Sequence, residues 1–81
     1  MDCFYRLVKK RVYLNLKLTI VYGISVEYLE NGKQKQRTIH DVSSDRFAIM
    51  KLVDLCNKHR LDPYQLDDVI EDFLNNQNLK N

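Results

Sequence analysis

Apolar and polar positions alternate along the first half of the chain and then change period. From Leu14 to Tyr28 every second residue is apolar: Leu14, Leu16, Leu18, Ile20, Tyr22, Ile24, Val26 and Tyr28. Successive side chains leave a strand on opposite sides, so period two marks a strand with one buried face. The length of the run predicts a reversal near Asn15–Lys17, although no Gly or Pro stands there. Upstream, Tyr5, Leu7, Val8 and Val12 alternate roughly among basic residues. Downstream, "ENGK" at 30–33 is a sharper signal, because Asn31-Gly32 accepts the two positive φ angles of a type I′ turn. Folding about it sets Glu30 opposite Lys33, Val26 opposite Arg37 and Ile24 opposite Ile39. The pattern predicts about three antiparallel strands in a meander ending near Val42.

Beyond Val42 the period becomes helical. Ser43 or Ser44 is the expected N-cap, with Asp45 placed against the positive end of the helix dipole. Ile49, Leu52, Val53 and Cys56 fall at i, i+3, i+4 and i+7, the buried stripe of a helix ending near His59. Asp62 then caps a second helix, Pro63 sits in its first turn, and Gln65 completes a capping-box pattern. Leu66, Val69, Ile70, Phe73 and Leu74 form its apolar stripe. The expected fold is βββαα, an α+β domain over residues 1–76 with both helices on one face of a three-stranded antiparallel sheet. The polar segment "NNQNLKN" suggests a tail over 77–81.

Eighty-one residues bound the chain to one domain with a thin core. The net charge of +2 is small, but its distribution is uneven. Residues 1–40 carry eight Lys or Arg against three acids, and residues 41–81 carry five against eight. A basic half is therefore joined to an acidic one. Two cysteines make no disulfide framework, the N-terminus lacks the pattern of a secretory signal, and the greasiest stretch, "VYLNLKLTIVYGISV", is short and interrupted by Lys17. These features predict a reduced, cytoplasmic protein with no membrane partner.

The segment "RLDPYQLDDVIEDFL" (60–74) has the look of a recognition helix after a turn, but its charges argue otherwise. Asp62, Asp67, Asp68, Glu71 and Asp72 cover its polar surface, and no Lys or Arg lies between Leu61 and Leu79. Phosphates would repel that face, whereas DNA-reading helices draw affinity from Lys and Arg. The simplest account is a solvated polar face. The functional alternative is a patch of Asp67, Asp68, Glu71 and Asp72 that docks a basic partner protein. In the first half, Arg6, Lys9, Lys10 and Arg11 stand among Tyr5 and Tyr13, an arrangement able to neutralise phosphates and stack bases. Basic residues on an outer strand also protect an edge from aggregation.

Zinc chemistry would need all of Cys3, His40, Cys56 and His59, whose separations match no ligand spacing, and Cys56 belongs to an apolar stripe. Nothing marks a nucleophile with its base, an oxyanion hole or a phosphate-binding glycine loop. The expectation is therefore a non-enzymatic adaptor or regulator with no cofactor. It would bind an unidentified protein or a second copy of itself, the alternative being a nucleic acid held by the basic strand.

Tyr22-Gly23-Ile24, the Asn31-Gly32 hairpin, "DVSSD" (41–45) and "LDPYQLDDVIEDFL" (61–74) occur in that order. Together they resemble a family of short uncharacterised proteins from Clostridia and related Firmicutes. The last segment is similar to the family pattern L-x-P-x-x-L-x-D-V-I-E-D-F-L through Leu61, Pro63, Leu66, Asp68, Val69, Ile70, Glu71, Asp72, Phe73 and Leu74. The resemblance spans about residues 20 to 75 and implies an intracellular bacterial or bacteriophage origin. It implies no activity and assigns no site residue.

Overall fold

Two pairs of positive-φ residues fold the first half of the chain into a meander: Asn15 (52°) with Leu16 (65°), then Asn31 (53°) with Gly32 (75°). The structure is a computed structural model that describes residues 2–79. Strands β1 (Cys3–Leu14), β2 (Lys17–Glu30) and β3 (Lys33–Ser43) form an antiparallel sheet in the order β1-β2-β3. Helix α1 (Arg46–Lys58), a 3₁₀ turn (Pro63–Gln65) and helix α2 (Leu66–Leu79) follow, and both helices pack on one sheet face. This is the expected βββαα fold. Of the tail expected at 77–81, residues 77–79 continue α2, and 80–81 lie outside the described residues.

The register about Asn31-Gly32 is the one its turn chemistry predicts: Glu30 pairs with Lys33, Val26 with Arg37 and Ile24 with Ile39. The first reversal falls at Asn15-Leu16, between paired Leu14 and Lys17. There a leucine holds a left-handed backbone, at a cost of about 1–2 kcal/mol, while its side chain is 99% exposed.

Alternation brings Tyr5 and Leu7 of β1, Tyr22, Ile24, Val26 and Tyr28 of β2, and Ile39 of β3 to the helix side. Ile49, Val53 and Cys56 of α1 and Leu66 and Ile70 of α2 close over them. Complete burial of a side chain such as Ile24, Ile49 or Leu66 stabilises by about 1.5–3 kcal/mol.

Two local expectations need correction. The N-cap of α1 is Asp45, not Ser43 or Ser44. Its carboxylate accepts from Ala48 N–H at 3.1 Å, while Ser43 Oγ accepts from Asp45 N–H at 3.0 Å. Asp62 does cap the turn before α2, but a backbone bond from Gln65 N–H to Asp62 O (2.8 Å) closes that turn. The sheet face away from the helices is mixed: Ser25 Oγ lies 3.0 Å from Thr38 Oγ1 and accepts from Gln36 Nε2 at 3.0 Å, while Phe4 and Leu29 stand exposed on the same face. Other apolar strand residues lie in a projection of the sheet.

That projection follows from a bulge. Tyr22 pairs with Ser43 but Ile24 with Ile39, so β3 carries extra residues opposite Gly23, with Asp41 at a φ of 60°. Gly23 is required here, because a Cβ would overlap the Ile39 carbonyl oxygen and lie 3.0 Å from His40 Cα. Past Tyr22 the sheet has lost its third strand. β1 and β2 continue alone as a two-stranded ribbon through five more rungs, from Lys10–Val21 to Leu14–Lys17, roughly 16 Å at strand rise. The molecule measures 45 × 26 × 17 Å as a result.

The opposite end is bound tightly. Asn57 of α1 behaves as a short piece of strand beside β1: its Oδ1 accepts from Tyr5 N–H at 2.7 Å and its Nδ2 donates to Tyr5 O at 2.9 Å. Replacing Asn57 with Ala leaves both Tyr5 backbone groups without that partner and is expected to destabilise the fold by about 1–3 kcal/mol. Urea denaturation measures the loss, and faster amide exchange at Tyr5 locates it. Gly23→Ala is expected to destabilise the fold by about 1–3 kcal/mol through overpacking, which lowers the urea midpoint.

Candidate functional site

The segment joining the helices is fixed by three side-chain clusters reaching from the sheet. Tyr5, 1% exposed, donates its hydroxyl to Leu61 O at 2.6 Å, and Cys3 Sγ donates to the same carbonyl at 3.4 Å. Arg37 of β3 donates Nη1 to Pro63 O at 2.7 Å and Nη2 to Asp67 Oδ2 at 2.8 Å. At the β2–β3 turn, Glu30 accepts from Lys35 Nζ at 2.6 Å and from the Tyr64 hydroxyl, whose ring packs edge-on to Tyr28.

These contacts set the protonation chemistry. Burial, the largest cause, raises the pKa of Tyr5. The hydrogen bond to Glu30 pushes Tyr64 up to about 12. Lys35 first, then Tyr64, holds Glu30 below its ordinary value, and Glu30 raises Lys35 in return. Burial also raises both cysteine thiols, which disfavours the thiolate needed for nucleophilic or metal chemistry. Cys56 is buried and Cys3 half-buried, while His40 and His59 are exposed. Among the described residues, no group of three or more His, Cys, Asp and Glu side chains gathers as a metal site.

The four acids singled out on α2 divide. Asp67 is held by Arg37, so part of its charge serves to fasten α2 to β3. Asp68, Glu71 and Asp72 are exposed. A shallow, largely apolar groove runs between the helices. Asp45, Phe47, Lys51, Leu52 and Leu55 line it with Phe73 of α2, and it continues past Cys56, His59, Leu61 and Val69. Asp72, three residues after Val69, stands on the same flank of α2. Phe47 is 79% exposed and Leu55 51%. Both fall outside the i, i+3, i+4, i+7 stripe that marks the buried face of α1, so periodicity gives them no role.

The basic residues of β1 also divide. Arg6 and Lys10 point away from the helices, where Arg6 pairs with Glu27 at 3.4 Å and Lys10 with Asp41 at 3.9 Å. Lys9 and Arg11, at odd positions, lie on the other face. Tyr5 is buried beneath α1 and closed to base stacking, whereas Tyr13 is 76% exposed. Around Tyr13 the ribbon carries Leu14, Leu16, Leu18 and Ile20, at 55%, 99%, 54% and 41% exposure. Their signal was present in the sequence: the apolar alternation begins well before the part of β2 that β3 and the helices cover.

Sheet and helices together define a small α+β domain with a ribbon extension and no assembled metal cluster among its described residues. The chain belongs to the family of unknown function DUF6514, whose model matches residues 1–76. The match takes in the first twenty residues, which the motif resemblance left out, so the basic strand lies within the family domain. No curated protein and no solved structure matches the chain significantly.

Raised tyrosine pKa values give stability a definite sign with pH. The folded state favours neutral Tyr5 and Tyr64, so their contribution is complete below the ordinary tyrosine value of 10.0 and is lost as pH rises through the folded values. Lys35, also raised, acts in the same direction. The urea midpoint is expected to be lower at pH 11 than at pH 8, and the difference to shrink in Tyr5→Phe. An unchanged difference in that variant would assign the alkaline loss to other groups.

Proposed function

We propose that this protein is a non-enzymatic adaptor or regulator that acts by binding another protein. The observation that carries the reading is the groove between α1 and α2, where exposed Phe47 and Leu55 lie beside the acidic flank of α2. An apolar cleft with acids along its α2 flank and Lys51 on its α1 side suits an amphipathic partner segment whose basic face meets α2: apolar burial supplies affinity and the charges supply orientation. Asp72, with Asp68 one turn before it, is the acid nearest that flank, whereas Glu71 lies across α2 from Val69 and Phe73 and Asp67 is engaged by Arg37. The same groove suits a second copy of the chain. A reduced, cytoplasmic setting in a bacterium of the Firmicutes, or its phage, belongs to the same proposal. It rests on the two free cysteines and on the segment "LDPYQLDDVIEDFL".

A second reading, nucleic-acid binding through Arg6, Lys9, Lys10 and Arg11, is favoured by one feature. Residues 3–26 contain five basic side chains and no Asp or Glu. The burial of Tyr5 and the division of the four charges between two faces weigh against it.

The test is affinity capture from native lysate of the source cell with nuclease present. Wild type is compared with the double variant Asp68→Lys, Asp72→Lys, with Phe47→Ser, and with reversal of the four basic residues. Protein partners lost in the first two variants and kept in the third are the expected result. Nucleic acid recovered without nuclease and lost only with the basic residues would favour the second reading. Light scattering of the purified chain reports whether the partner is another copy.

A further inference from the structure

We infer that the β1–β2 ribbon is a peripheral membrane anchor, inserting its tip into the surface of an anionic phospholipid bilayer. No stretch of the sequence is apolar enough to span a bilayer, and no helix among the described residues is long and apolar enough to cross one. Surface insertion is a different mode, requiring an apolar projection a few ångströms deep with cations behind it.

The arrangement of side chains around the ribbon favours a bilayer over a protein groove. A ribbon that docks on a protein presents one apolar face and leaves the other polar. Here the exposed apolar side chains surround the tip. Tyr13, Leu18 and Ile20 stand on the helix-side face, Leu14 on the opposite face, and Leu16 at the end of the turn. The cations are also on both faces: Lys9 and Arg11 on one, Lys10 and Lys17 on the other. An environment that meets the ribbon from all sides, apolar at its end and anionic further back, is the interfacial zone of an anionic membrane. No acid occurs in the sequence from residue 3 to residue 26, and the one carboxylate paired with a ribbon cation is Asp41 of β3, 3.9 Å from Lys10 at the ribbon's base, among the described residues. Lys17, near the tip, has the length to extend its ammonium back to the headgroups.

Leu16 supplies an independent indication. Its backbone position, at a φ of 65°, suits Gly or Asn, and its side chain touches solvent almost completely. Neither the turn nor the core calls for leucine. A hydrocarbon phase beyond the protein does.

The experiment uses the purified full chain and sedimentation with vesicles, either phosphatidylcholine alone or phosphatidylcholine mixed with phosphatidylglycerol. Expected is binding to the mixed vesicles that weakens with salt, and little binding to neutral ones. Leu16→Gly relieves the turn, so its fold is at least as stable as wild type, yet its partitioning should fall about tenfold. Reversing Lys9, Lys10 and Arg11 should reduce binding by on the order of a hundredfold or more. In Leu16→Trp, which adds the chain's sole tryptophan, emission should shift to the blue with mixed vesicles only. The inference is overturned if the chain ignores anionic vesicles, if Leu16→Gly binds them as well as wild type, or if the ribbon leucines serve only to dimerise the protein in buffer. It is also overturned if an oligonucleotide, and not the vesicle, shows the charge dependence. Groove variants should leave vesicle binding unchanged, which separates this inference from the proposed protein-binding role.

Discussion

Tyr5 is the constraint on which the rest of the structure depends. Its backbone is gripped by the Asn57 side chain, its ring fills the centre of the core, and its hydroxyl holds the Leu61 carbonyl between the helices. One residue thus fixes the end of α1 to the edge strand and sets where the chain turns toward α2. A small domain buries a small fraction of its surface and has little hydrophobic energy in reserve. Placing both helices through directed hydrogen bonds at one site specifies a single arrangement that a thin apolar layer alone would leave loose. Arg37 repeats the logic from β3, taking Pro63 O and Asp67 together.

The clamp acts at one end of the sheet and leaves the other free. Helix α1 leads back from Asn57 to Asp45, and β3 ends opposite Tyr22, its bulge packed against the backbone of Gly23. Beyond that line β3 no longer pairs with β2. Bare two-stranded ribbons have little stability of their own, so the ribbon draws its order from the sheet behind it. Unequal strand lengths turn a meander into a domain with a projecting arm.

Opposite charges on the two halves of the sequence become separate surfaces. The basic, apolar ribbon comes from the first half, and the helical groove with its acidic flank from the second. Family membership covers both, since the matching model takes in residues 1–76. A protein that joins a lipid surface to a protein partner would use the two at once.

Much of the framework follows from local chemistry. Asn31-Gly32 determined the β2–β3 register to the residue because few other pairs accept that turn, and period-two and period-3.6 patterns separated strands from helices along the chain. Asp62-Pro63 marked the start of the second helical segment for the same reason: capping depends on neighbours in sequence. Tertiary structure alone decided which apolar residues are core and which are surface. Leu16 and Ile24 occupy one alternating series, yet Leu16 is in solvent and Ile24 is fully buried. Their difference is the reach of β3 and the helices, which periodicity does not encode. Tertiary structure likewise divided the acids, giving Asp67 to Arg37, because ion pairs between residues thirty apart arise only when packing brings their elements together.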